Sequence, residues 1–404
     1  MGKVKVNKKS FMFAFLILPF FRPLGLEVKT FGFLYPLFTY WELLILGVFA
    51  IIFVISCRSC RIRNSNYSIF IYLYTLYTLV QSIVCKVSQG RQSVIPLFSV
   101  LFFCLGTVVV LYVAKKDIVQ LVDFFYGYFG IINVCNLIFY AVPALNKLLG
   151  DEWYYFCGHR QSLPMLWSMS VFVGLLKYNY YDKRDRHPLF MIVYILIPSF
   201  MMLISGVATG IVALVVFVGL YFLVFLRNKL NAITTFQLRI IYIVGLLFNW
   251  LLVSVNIQTR FTTLISYYLH ETVTFNGRTV IWDAFLKAVK ESPILGYGYN
   301  GIRVATGWGG GWDNLDYAHN TILQELSNGG IVGFVLFFLM GYVALKSIDK
   351  LQNIDYKKIV LCVLGSQLVI MCSESISYYQ YYSLFVALLA NLPSLDRERN
   401  AIKI

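Results

Sequence analysis

The sequence predicts an all-α polytopic integral membrane protein of about 12 transmembrane helices with one long extracytoplasmic loop, and three observations predict it. Hydrophobic residues make up 59% of the 404 and charged residues only 13%, with a mean hydropathy of +0.71. A soluble chain usually carries roughly 25% charged residues, so lipid is the solvent that can cover this surface. Next, the apolar residues are gathered into runs of spanning or near-spanning length. Finally, the net charge of +15 sits in short clusters between those runs. That is the pattern of the positive-inside rule and not of a basic stripe tracking nucleic acid.

Taken in order, Met1–Ser10 carries Lys3, Lys5, Lys8 and Lys9 ahead of apolar Phe11–Phe21. No small-residue cleavage site follows and further runs do, so this is expected to be a retained first span. The later runs are Leu37–Ile55, Tyr67–Val84, Val94–Ala114, Ile118–Val142, Pro164–Leu176 and Pro188–Ser205. After them come Val207–Leu226, Ile240–Val255, Ile331–Leu345, Ile359–Met371 and Ser383–Leu392. An even number of crossings puts both termini on one side. If that side is the cytoplasm, it holds 23 of the 34 Lys and Arg residues, so the expected location is a bacterial inner or plasma membrane with both termini cytoplasmic.

This divides the chain into residues 1–256, nine spans with a short external loop at 144–163; residues 257–330, a large extracytoplasmic catalytic loop; and residues 331–404, three spans and a cytoplasmic tail. Loops as long as 257–330 are uncommon in compact folds and are often functional. Within it, Val280–Glu291 reads as an amphipathic helix stopped by Pro293, with Arg278 at its leading edge. A second short helix is expected from about Asn320 to Ser327, ended by Asn328-Gly329-Gly330. His319 falls at its start, where the positive helix end disfavours protonated imidazole and suits a proton acceptor; capping or bonding a loop carbonyl is the alternative role.

Six arginines, Arg22, Arg91, Arg160, Arg260, Arg278 and Arg303, fall on the external side, against the charge bias. Guanidinium forks grip phosphate oxygens, and in a membrane plane the phosphate to hand is a lipid pyrophosphate headgroup. Snorkelling to anionic lipid suffices for Arg22 and Arg91. Trp282, Trp308 and Trp312 suit either stacking on sugar faces or an interfacial belt. Asp313 and Asp316 form only a weak metal pattern, Cys57 and Cys60 an isolated pair, and no nucleotide-binding or zinc-protease motif occurs.

The order Gly277-Arg278-Thr-Val-Ile-Trp282, Ser292-Pro293-Ile-Leu-Gly296-Tyr-Gly298, Ala318-His319-Asn320 and Gly329-Gly330-Ile-Val-Gly333 resembles the signature of the bacterial O-antigen ligase and Wzy-type polysaccharide polymerase superfamily. Tyr155–Leu163, with Gly158-His159-Arg160, and the small-residue break at Met202–Val212 also resemble its capsule-polymerase branch. One departure is Val207-Ala208, where the ligase side of the family often has Ser-Arg; Arg160 is the candidate replacement. The resemblance implies a GT-C-like fold. It implies metal-independent, inverting glycosyl transfer, with no cofactor, from an undecaprenyl-pyrophosphate-linked oligosaccharide. Polymerisation of repeat units into capsule, exopolysaccharide or O-antigen is the main expectation. Transfer to lipid A-core or protein by a ligase or oligosaccharyltransferase is the alternative. A flippase or a non-catalytic length-control partner are rivals of other classes. On this reading His319 and Arg278 are catalytic, and Arg160, Arg303, Arg260, Asn320, Trp282 and Trp312 bind pyrophosphate or sugar. The expected partners are membrane lipid, a flippase and a chain-length regulator, and not nucleic acid.

Overall fold

The computed structural model describes residues 8–27, 30–59, 66–88, 95–150, 153–180, 189–227, 234–255, 277–307 and 315–402. Apolar runs become helices because lipid leaves no other partner for backbone N–H and C=O groups than the chain itself. The first five helices are α1 (Lys8–Ile17), α2 (Leu34–Ser59), α3 (Asn66–Ser88), α4 (Ile95–Lys116) and α5 (Ile118–Ala141). A two-stranded hairpin follows, β1 (Tyr154–Tyr155) against β2 (Gly158–His159), and leads through a 3-10 turn at Arg160–Ser162 into α6 (Leu163–Tyr180). Next, α7 (Ile197–Ile204) is entered through a π-helical turn at Ile192–Leu196, and α8 (Ala208–Tyr221) runs into another at Phe222–Leu226. The remaining helices are α9 (Thr235–Ser254), α10 (Arg278–Glu291), α11 (Thr321–Ser347), α12 (Ile354–Met371) and α13 (Gln380–Ile402).

Each of the twelve apolar runs is thus helical. Seven helices among the described residues are long and apolar enough to cross a membrane: Leu34–Ile51, Ser68–Cys85, Phe98–Lys116, Ile118–Ala141, Ala208–Leu226, Thr235–Ser254 and Thr321–Lys350. The other runs fall below that test, partly because α6, α12 and α13 lie inside the bundle and carry polar side chains there. Ser168 on α6 accepts from Gln367 Nε2 on α12 at 2.7 Å, and α13 offers Ser383 to Thr107 of α4 at 2.9 Å. The protein is an all-α multi-pass membrane protein, with seven spans meeting that test rather than twelve.

The connections sort to two ends. At one, Leu24 N–H donates to the Cys157 carbonyl at 3.2 Å and Tyr299 N–H to Ser82 Oγ at 2.9 Å, while residues 317–321 are strapped to 372–376. At the other end, Asp396 accepts from the N–H groups of Gln352 and Asn353 at 2.8 and 3.0 Å.

One expectation is corrected. The expected short helix after His319 is present and ends at Gly330, but it is packed inside the protein and not in an external loop. Residues 321–330 are wholly buried, and at Gly330 (φ 59°, ψ −162°) the chain kinks and continues as the rest of α11. Its polar residues are not solvated; they are bonded to neighbours. Tyr74 donates to Glu325 at 3.0 Å, Tyr77 to the Gly329 carbonyl at 2.7 Å, and Gln81 to the Asn328 carbonyl at 2.9 Å. Only Gly fits the kink, since a Cβ on Gly330 would stand 2.2 Å from the Ile294 carbonyl oxygen.

Candidate active site

Four places in the fold converge on one cavity of about 960 Å³ at the loop-bearing end. The turn after the hairpin gives Arg160, the break between α7 and α8 gives residues 206–209, the start of α10 gives Arg278, and the segment leading into α11 gives His319. The cavity has two characters. One side is apolar and partly open, with Val212 of α8, Ile241 and the exposed Val244 and Phe248 of α9, and Leu368 of α12. Its other end is cationic. Arg160 and Arg278 lie there, and α8 begins there at an N-cap, Val207, whose side chain accepts no backbone hydrogen bond. Arg278 itself opens α10 after Gly277 (φ 86°). A cation at the positive end of a helix opposes the macrodipole, so the placement disfavours the helix and favours a bound anion.

The charge is balanced by a residue the sequence reading missed. Glu374, with its side chain 0% exposed, accepts from Arg278 Nη2 at 3.0 Å and from the Tyr317 hydroxyl at 3.2 Å. His319 Nδ1 lies 3.8 Å from the same carboxylate and makes no hydrogen bond, although it is buried. His319 adopts φ 48°, which turns its ring out of the line of the helix it precedes. Neighbouring Asn320 then caps α11, accepting from Leu323 N–H at 3.1 Å. The carboxylate ties guanidinium and phenol together and stands beside the imidazole without bonding it.

The other expected site residues divide. Arg160 lines the cavity and lies over the Trp153 ring, 3.7 Å from its centroid. It shares the cavity with Val207 and Ala208 of the central break. Arg303 is not brought there; it pairs with Asp316 at 3.0 Å, both side chains well exposed. Asn320 is a structural strap instead of a substrate ligand, because its buried amide donates to Asn249 at 2.6 Å and to the Cys372 carbonyl at 3.0 Å. Trp282 is no exposed sugar platform. It is 1% exposed and packed with Ile281, Phe285 and Leu323, and it lines the cavity as part of its wall. Arg22 does not snorkel, because Glu42 pairs with it at 2.8 Å. Arg91, Arg260, Trp308, Trp312 and Asp313 lie outside the described residues.

The gathering of Arg278 and His319, from separate motifs, onto one cavity is where comparison with known proteins becomes informative. Residues 193–338 match the O-antigen ligase family. The match contains Arg278 and His319 and stops short of Arg160 and Glu374. A stretch of 111 residues is 32% identical to the "Putative polysaccharide ligase" of Rickettsia conorii, covering 24% of this chain and 26% of that protein. The matched stretch thus spans about a quarter of the relative's length. Together these support the O-antigen ligase superfamily, without singling out its polymerases.

Proposed function

We propose that the protein transfers a glycan from a polyprenyl pyrophosphate carrier to an acceptor hydroxyl at the extracytoplasmic face of a bacterial membrane, as an O-antigen ligase does. The observation that carries this reading is the two-ended cavity, apolar along α8 and α9 and cationic at Arg160, Arg278 and the α8 N-terminus. An isoprenoid tail with a diphosphate head has the same two halves. The 144–163 loop and the 257–330 region then face outward, as the Lys and Arg bias favours.

On this reading the acceptor oxygen bonds to the anomeric carbon while the bond from that carbon to the pyrophosphate oxygen breaks. Attack opposite the leaving group inverts the centre. The acceptor proton passes to His319; with Nδ1 beside Glu374, Nε2 is the atom left for the hydroxyl. The electron pair of the broken bond stays on the pyrophosphate, which Arg278 and Arg160 hold with preset donors. Glu374 keeps the Arg278 fork oriented and offsets the imidazolium that forms.

One observation favours a second reading. The central break carries Val207-Ala208 and no arginine, unlike many ligases, which suits a polymerase that joins lipid-linked repeat units. Purified protein in nanodiscs, supplied with the lipid-linked repeat unit alone, separates the two. A ladder of longer glycans means polymerase; transfer only after adding a lipid A-core acceptor means ligase. Transport of the glycolipid with no glycan transfer, or normal transfer by both Arg278→Ala and His319→Ala, would overturn the proposal.

A further inference from the structure

A second cavity, of about 210 Å³, opens beside the first at the same end of the bundle. Phe20–Arg22 line it from the segment after α1, Tyr35 and Glu42 from α2, Ser99 and Phe103 from α4, Tyr299 and Tyr378 from the loops, and Gln380 from the start of α13. A ladder of ring contacts joins it to the proposed base. Phe103 stacks on Tyr299 at 5.0 Å and Tyr299 on Tyr378 at 5.1 Å. Tyr378 meets Tyr317 edge-on at 5.3 Å, and Tyr317 meets His319 at 4.6 Å. Tyr317, which lies between the two cavities and lines neither, donates to Glu374, the partner of Arg278.

The lining mixes ring faces with charge. The Arg22–Glu42 pair, at 2.8 Å, is mostly shielded from solvent, and Arg22 also lies 5.2 Å from the Tyr35 ring centroid. Glu42 is the one acid in α2, in the span Leu34–Ile51 that is otherwise the least buried of the seven. A carboxylate turned inward from such a helix points to a site. A lipid acyl chain there would leave this pair, Ser99 and Gln380 facing hydrocarbon, which is costly. A sugar ring can set its hydroxyls on these polar groups and its C–H groups against the exposed side of Tyr35 and the ring edge of Tyr299, whose faces are stacked on Phe103 and Tyr378. The volume equals about seven waters at ~30 Å³ each, room for a single ring and not for a whole oligosaccharide.

We infer that this cavity binds one pyranose ring of the acceptor glycan. The inference rests on the transfer reading above for the word acceptor. The leaving pyrophosphate fills the arginine cavity and the nucleophile must come from the opposite side, so a ring held beyond His319 belongs to the incoming chain. Ser99→Trp fills the cavity and Tyr35→Ala removes an exposed part of its wall; neither side chain belongs to the buried core. Two measurements test the site: the acceptor KM in the nanodisc assay, and saturation-transfer NMR with oligosaccharide released by mild acid from the cell's own acceptor glycolipid.

Both variants are expected to raise the acceptor KM at least tenfold while leaving the donor KM and the slow hydrolysis of donor unchanged, and Ser99→Trp to abolish the NMR signal. An unchanged acceptor KM in both folded variants overturns the site while transfer itself stands. Oligosaccharide binding that Ser99→Trp removes, in a protein that transfers nothing, supports the site and defeats the transfer reading. Loss of a co-purifying phospholipid from Ser99→Trp, with oligosaccharide binding intact, assigns the cavity to an acyl chain and overturns the inference.

Discussion

Replacing Glu374 by Gln keeps the shape of the hub and removes its charge. At an effective dielectric near 20, the 3.0 Å Arg278–Glu374 contact carries about 5 kcal/mol of gross attraction. Glu374 is fully buried, and removing one partner of a buried pair typically costs about 3 kcal/mol once desolvation is counted. The amide still accepts from Tyr317, so the loss falls on Arg278 orientation and on the imidazolium of His319. About 3 kcal/mol in the transition state is roughly a hundredfold in kcat. The assay is release of polyprenyl pyrophosphate from lipid-linked oligosaccharide in nanodiscs, with thermal unfolding run on the same preparation. A Glu374→Gln protein with wild-type kcat would refute the claim that this carboxylate organises the site.

Arg278→Lys should lose about tenfold to a hundredfold in kcat, because a point charge does not replace a planar fork already tied to Glu374, whereas Arg303→Ala should stay within about twofold, its exposed pair with Asp316 being weak; parallel transfer assays check both. Val212→Trp should raise KM about tenfold for a long isoprenoid donor and far less for a short-chain analogue, as titrations with the two donors would show. Gly330→Ala should destabilise by about 3 kcal/mol or more, seen as a lowered melting temperature or failure to accumulate, since the new Cβ meets the Ile294 carbonyl. Burial first, then the charges of Tyr379 and Glu374, push the Tyr317 hydroxyl well above the ordinary tyrosine value. The unfolded chain therefore gives up that proton near pH 10 while the folded one keeps it, so stability is flat below that pH and falls above it. Tyr317→Phe should lessen the fall in melting temperature measured across that range.

Much of this was legible in the chain. All twelve apolar runs became helices because hydrocarbon leaves the backbone no alternative, and Arg278 and His319 were marked by loop position and motif. What failed to show was anything decided by packing between distant segments. Glu374 sits in Ser373–Ser377, a short connection between two apolar runs, and its only signal is an acid there in a chain with 19 Asp and Glu. Trp282 looked free for sugar, yet it follows Ile281 and precedes Phe285 by three, the spacing of a buried helix stripe. The burial of residues 321–330 did not show either, because the partners of Gln324 and Glu325, which are Tyr378 before α13 and Tyr74 of α3, lie far away in sequence.

The crowding of positive ends around Arg278 has a consequence for turnover. In the proposed reaction the carrier departs with a terminal phosphate that was esterified when it arrived, so it leaves more negatively charged than it came. Whatever steadies that departing group also grips it afterwards, more tightly than the substrate it replaces. Spent carrier is then expected to compete with loaded carrier for the site, acting as a product inhibitor of the donor.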